Sequence, residues 1–230
     1  KCVISSPLAT QSGYGHHARE VIENIIEQRG NEWNIKLLSM PWGNTPLTFP
    51  ISNEMRTRIV PLPLTEQPDI WVQITIPNEF QPVGKFNIGV TAVTEGDICS
   101  KEWIDSINKM QVIIVPSEFT KSVLTKTAEK HNIAISPEIH VISEYFNKDI
   151  YNKNNKAESI DLGEVHESFC YLFVGHWLQG SLGEDRKNIS GLLHNFLETF
   201  KNKDKAPGLI LKTSSATYSV TDREKMEKYI

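Results

Sequence analysis

Short apolar runs alternate with segments of helical period along this 230-residue chain, and that alternation constrains the fold more than any other feature. A parallel strand needs a crossover, usually a helix, to bring the chain back to the same end of the sheet. Strand–helix repetition therefore implies a parallel sheet with helices on its faces. Residues 3–5 open as a strand, and Ala18, Val21, Ile22, Ile25 and Ile26 recur at helical spacing up to the stop signal Gly30. A second strand at 35–39 leads into a Pro-rich, Gly-containing stretch, 41–68, that reads as an extended excursion. Strands follow at 70–75 and 87–93, then a helix at 101–110 and an apolar strand at 111–115 closed by Pro116. Ser117 has the character of an N-cap for a helix running to about Asn132, with Val123, Leu124 and Ala128 inward, and 139–142 is a further strand.

From 144 to 168 the sequence turns polar, with YNKNNKAES at its centre. This predicts a Rossmann-like N-terminal domain over 1–145, a polar linker over 146–167 and a second domain from 168 to 230. The second segment supplies a buried strand at 169–174, a loop at 175–185 and one helical face made of Ile189, Leu192, Leu193, Phe196, Leu197 and Phe200. A strand at 209–212 and a helix start at Thr221, with Glu224 at capping-box spacing, complete it. These elements amount to the first part of a second Rossmann-like domain, so the chain is expected to be truncated there. The absence of an initial Met gives the same expectation for its start. Unburied apolar surface on a partial domain is expected to favour association.

A net charge of −4 argues against a dedicated nucleic-acid binder, which needs a basic surface. No apolar run approaches the roughly 20 residues that span a bilayer, and the first residues carry no signal-peptide pattern. A cytoplasmic location follows as the expectation, with peripheral membrane contact left open. Cys2, Cys99 and Cys170 are odd in number and far apart, which suits free thiols in a reducing compartment. Neither CxxC, HExxH nor DxD occurs, and the adjacent His16 and His17 would lie about 100° apart on a helix, so no metal site is expected.

Ligands of open parallel sheets bind beyond the carboxyl ends of the strands, which selects four loops. Ser12-Gly13-Tyr14-Gly15 follows the first strand, and its two glycines can let backbone approach a phosphate or sugar. A tight turn explains them equally well, and with Ala18 in place of a third glycine the pattern is not GxGxxG. Glu95 follows the strand ending at Val93, where a carboxylate can orient a hydroxyl or accept a proton, or else simply cap the next helix or pair with a cation. Ser117 follows the next strand, and capping alone accounts for it. Arg186 and Lys187 open the helix of the second segment, where free N–H groups and the helix dipole would join them in holding a diphosphate; a solvated surface pair is the alternative. Lys212 and Thr213, at the end of the next strand, are placed to line the same pocket.

These residues resemble the retaining glycosyltransferases of the GT-B fold, group 1 or family 4. The resemblance spans nearly the whole chain and rests on SGYGHHARE (12–20), VTAVTEGD (90–97), VIIVPSEFTKSVL (112–124) and FVGHWLQGSLGEDRKNISGLLHNF (173–196) leading to LILKTS (209–214). It implies a metal-independent, cofactor-free hexosyltransferase-like enzyme whose donor substrate is a nucleotide-diphosphate sugar. The acceptor would be a hydroxyl of a carbohydrate, lipid or other molecule. Carried over, Gly13, Tyr14, Gly15, Arg186 and Lys187 would contact the donor diphosphate and Glu95 would be catalytic on the acceptor side. His16, Ser117, Lys212 and Thr213 would be further cleft residues. The family also carries, in its C-terminal domain, a pair of glutamates seven residues apart; the stretch from Phe169 onward holds no such pair. A non-catalytic sugar- or nucleotide-binding module on the same scaffold is the alternative. A dinucleotide-binding oxidoreductase lacks its GxGxxG.

Overall fold

The computed structural model describes residues 1–92, 96–149, 151–154, 163, 165–177, 184–185 and 187–214, together with positions 220, 221, 224 and 228. It divides into two compact units, Lys1–Asn152 and Lys153–Ile230. The division falls inside the polar stretch 146–167.

The first unit runs β1 (Cys2–Ser6), α1 (Gly13–Arg29), β2 (Ile35–Ser39), α2 (Asn53–Arg58), β3 (Ile70–Ile74), a 3-10 turn (Pro77–Glu79), β4 (Phe86–Val90), α3 (Lys101–Ile107), β5 (Val112–Val115), α4 (Glu118–His131) and β6 (Glu138–Val141). Its six strands lie in the order β2-β1-β3-β4-β5-β6, and every neighbouring pair is parallel. This is an α/β unit of the Rossmann-like kind. Strand order reverses at β1, with β2 on one side and β3 to β6 on the other, so the topological switch lies between β1 and β3.

Side chains alternate across the sheet and feed two cores. On one face Val3, Leu38, Trp71, Ile113 and Val115 pack with Ile104 and Ile107 of α3 and Val123, Leu124 and Ala128 of α4. On the other, Cys2, Ile4, Ile35, Leu37, Val72, Ile74 and Val90 pack with Ala18, Ile22 and Ile26 of α1. The excursion expected over 41–68 is partly ordered. Ser52 accepts a hydrogen bond from the Met55 N–H and starts α2, whose Met55 is fully buried in the second core. That anchor makes α2 part of the fold rather than a loop. Asn132 ends α4 with φ +53°, a conformation that asparagine tolerates better than most residues.

The second unit contains β7 (Cys170–His176), α5 (Ile189–Phe200) and β8 (Gly208–Ser214), with β7 and β8 parallel. This is a β-α-β crossover. The expectation that its first strand is buried is corrected: Leu172 is 65% and Val174 64% exposed. Among the described residues β7 pairs only with β8, and α5 packs through Ile189 and Leu193 against Phe173, on the opposite face from Leu172 and Val174. Val220, Thr221 and Glu224 are helical, and the rest of the helix expected there lies outside the described residues.

Candidate functional site

The β1–α1 junction is built from the backbone outward. Ser12 accepts from the Gly15 N–H at 2.9 Å and caps α1, and the Thr10 and Ser12 hydroxyls lie 2.8 Å apart. Arg19, buried one turn further on, donates to the carbonyls of Leu8 and Thr10 at 2.8 and 2.9 Å and stacks 3.7 Å from the centre of the Phe49 ring. It ties the helix to the loop 7–12 with charge-assisted bonds. Gly13, Tyr14 and Gly15, expected in that loop, instead form the first turn of α1. Their roles differ. A Cβ on Gly15 would stand 2.4 Å from the Thr10 carbonyl oxygen, so glycine is what lets the helix start lie on the loop; one on Gly13 would meet nothing within 4 Å.

Tyr14 reaches across to the end of β4. Its hydroxyl donates to the Ala92 carbonyl at 2.6 Å, accepts from the Ala92 N–H at 3.0 Å and lies 3.1 Å from the Thr91 hydroxyl, while its ring packs on Trp42. Burial pushes the phenol pKa up, so Tyr14 holds the junction together as a neutral group. Glu95 lies outside the described residues, three positions beyond Ala92. His16 is exposed, with its Nε2 3.6 Å from Glu20 on the same helix. Ser117, at the end of β5, caps α4 by accepting from the Thr120 N–H at 3.1 Å. The structure thus brings the ends of β1 and β4 into direct contact through Tyr14, and places Ser117 at the carboxyl end of the next strand.

Sequence reasoning missed a cavity of about 310 Å³ at the carboxyl ends of β1 and β3, lined by Ser5, Met40, Pro41, Ile74, Thr75 and Glu79 among others. Ser5 and Gln73 are paired in register, with Ser5 only 2% exposed. Gln73 donates to the Glu79 carbonyl at 2.8 Å and accepts from the Gln81 N–H at 2.9 Å, which fixes the 3-10 turn. Thr75 donates to Glu79 Oε2 in a short hydrogen bond. The signal was present in the strand IWVQIT, where Gln73 and Thr75 interrupt an apolar run on one face.

In the second unit, Arg186 lies outside the described residues and Lys187 is exposed just before α5. Two of the free N–H groups expected at the start of α5, those of Ile189 and Ser190, are already engaged. Asp185 Oδ1 accepts from the Ile189 N–H at 2.7 Å, and Oδ2 accepts from the Ser190 hydroxyl at 2.6 Å and its N–H at 3.3 Å. Desolvation alone would raise the Asp185 pKa, but these bonds outweigh it and hold the carboxyl below the usual range. An anion at this end would have to rely on side chains. Lys212 and Thr213 sit opposite Val174 and Gly175 in the β7–β8 register, at the carboxyl ends of both strands. Thr213 Oγ1 is buried and has no hydrogen-bond partner among the described residues. No cluster of metal-ligating side chains and no helix long and apolar enough to cross a membrane occurs among the described residues.

Fold and geometry together define an α/β protein with a doubly wound parallel sheet and a second β-α-β unit. No protein-family model matches the chain, and no curated protein matches it.

Proposed function

We propose that this protein is a glycosyltransferase of the retaining GT-B type, moving a sugar from a nucleotide-diphosphate sugar to an acceptor hydroxyl. The observation that carries the reading is the carboxyl end of β8, where the Thr213 hydroxyl is buried without a hydrogen-bond partner among the described residues, in a β-α-β crossover that also carries Lys187 before its helix and Lys212 on its second strand. An orphaned hydroxyl in a crossover that carries two cations is suited to a diphosphate oxygen. In the reaction, the acceptor oxygen bonds to the anomeric carbon on the face from which the diphosphate departs. The bond from that carbon to the diphosphate oxygen breaks, and the acceptor proton passes to the diphosphate. The cations stabilise the charge that grows on the leaving group more than they stabilise the bound donor. The first unit would present the acceptor, with Glu95 beside it, and the chemistry calls for no metal or cofactor.

A second reading, a non-catalytic sugar-binding module, is favoured by Asp185, because its carboxylate consumes the α5 N–H groups and repels phosphate there. Titrating the chain with UDP-, GDP- and ADP-sugars, while following nucleotide release, separates the two. One donor is expected to bind and turn over, and Lys187→Ala is expected to weaken its binding by roughly tenfold, the value of one charge-assisted contact. Binding that is indifferent to Lys187, or no response to any donor, would leave the module reading.

A further inference from the structure

The cavity between the ends of β1 and β3 points to a partner chemistry of its own. We infer that it is a subsite for a neutral, hydroxyl-rich ring, a pyranose or cyclitol, with Glu79 as the carboxylate that grips its hydroxyls. Read as the acceptor subsite of the enzyme, it rests on the function proposed above; read as a sugar-binding cavity, it stands on geometry alone.

Position comes first. The switch between β1 and β3 is where an open parallel sheet leaves a crevice, because the connections on its two sides run in opposite directions. The cavity lies there, and its volume of about 310 Å³ is that of a small-molecule site. The second observation is the preorganisation of Glu79. Its backbone is held by Gln73 and its Oε2 by Thr75, yet Oε1 has no partner among the described residues. The carboxylate is fixed in place with one acceptor oxygen to spare. The Ser6 hydroxyl, on another residue of the cavity lining, is buried and has no hydrogen-bond partner among the described residues. Buried polar groups without partners are uncommon, and this one belongs to the lining that also holds the spare Glu79 oxygen.

The chemistry of the wall then selects the ligand. Among the described residues no Lys, Arg or His lines the cavity and the one formal charge there is the Glu79 carboxylate, which repels phosphates and carboxylates. The Ser5 and Ser6 hydroxyls can donate and accept, while Thr75, whose proton goes to Glu79, and Glu79 itself only accept, which matches O–H groups that can do either. An ammonium can only donate. Pro7, Met40, Pro41 and Ile74 supply an apolar side against which the C–H face of a sugar ring can lie. Gln73 and Thr75 are positioning residues, since their hydrogen bonds hold the turn and the carboxylate.

The test is amide-resolved NMR titration of the whole chain with the methyl glycosides of glucose, galactose and mannose and with myo-inositol. Glucose 6-phosphate and glucosamine serve as charged comparators. At least one neutral ligand is expected to shift the amides of residues 5–7, 40–41 and 73–81 and to bind better than either comparator. Glu79→Gln, an exposed substitution of equal size, is expected to weaken it by roughly tenfold or more, because one charged hydrogen-bond acceptor is lost. Equal or tighter binding of the phosphate or the amine, undiminished binding by Glu79→Gln, or no shifts at those amides with any neutral ligand would each overturn the inference. The outcome is separable from the enzyme reading. A chain that binds glycosides at Glu79 but releases no nucleotide from any donor keeps the subsite and loses the transferase. Transfer at full rate by Glu79→Gln keeps the transferase and loses the subsite.

Discussion

Two β-α-β crossovers in this chain, β1-α1-β2 and β7-α5-β8, follow the same plan and are stabilised differently. In the first, both faces of the sheet are covered, so successive residues of β1 all have somewhere dry to go: Cys2 and Ile4 under α1, Val3 toward the core of α3 and α4. In the second, α5 lies over one face and the other carries Leu172 and Val174 into solvent. The helix starts differ as well. A neutral hydroxyl, Ser12, caps α1, whereas a carboxylate, Asp185, caps α5. The contrast shows that an apolar strand run establishes a strand and says nothing about how many of its faces are covered.

The largest expected effect breaks that contrast at its centre. Ile4→Ala removes a fully buried side chain from a packed core and should cost about 4 kcal/mol of unfolding free energy. Leu172→Ala, made at a position of similar sequence character, should change stability by about 0.5 kcal/mol or less. Denaturant melts of the two variants check it, and comparable losses would mean that β7 is covered in solution by something that buries Leu172.

The glycines of α1 sharpen the comparison at the helix start. Gly15→Ala should cost about 2 kcal/mol, because its methyl would overlap the Thr10 and Pro7 carbonyls, and backbone cannot step aside as a flexible side chain can. Gly13→Ala meets open space and should be neutral or slightly stabilising through reduced chain entropy. Thermal melts of the pair give the structural answer. If Gly13→Ala keeps its stability but loses nucleotide-sugar binding, the close approach expected of that glycine is a ligand contact.

Much of this architecture could be read from sequence because it rests on local period. β2 falls at the expected residues 35–39, Gly30 ends α1, and Ser117 and Asn132 bound α4 as expected, whereas the Ser12 cap of α1 falls in the expected loop. Other features depend on contacts between segments far apart in sequence. Gly13-Tyr14-Gly15 looked like a ligand loop because two glycines suggest close approach, yet the approach at Gly15 is to the chain's own loop, and Tyr14 spends its hydroxyl on residues 91 and 92. Only the fold shows that Ser5 and Gln73 are neighbours, or that Glu79 returns over Thr75. Asp185 was passed over beside the more conspicuous Arg186 and Lys187, although an acidic side chain ahead of a helix is an ordinary capping signal.

The smallest expected effect turns on that carboxylate. Hydrogen bonds from Ser190 and from the Ile189 and Ser190 N–H groups hold the Asp185 pKa below its unfolded value of about 3.9. A depressed folded-state pKa means that the unfolded chain takes up the proton first. The stabilisation is therefore complete above the unfolded value and is lost as the pH falls through the folded one. Ser12 does not titrate, so the cap of α1 has no such dependence. Amide exchange at Ile189 and Ser190, corrected for its intrinsic pH dependence, should accelerate on acidification below about pH 4 relative to that at Gly15. Asp185→Asn, which retains an acceptor oxygen but cannot titrate in this range, should abolish the difference. If α1 and α5 loosen together, the acid sensitivity belongs to groups shared by the whole chain rather than to this cap, and the contrast between the two crossovers reduces to how their sheet faces are covered.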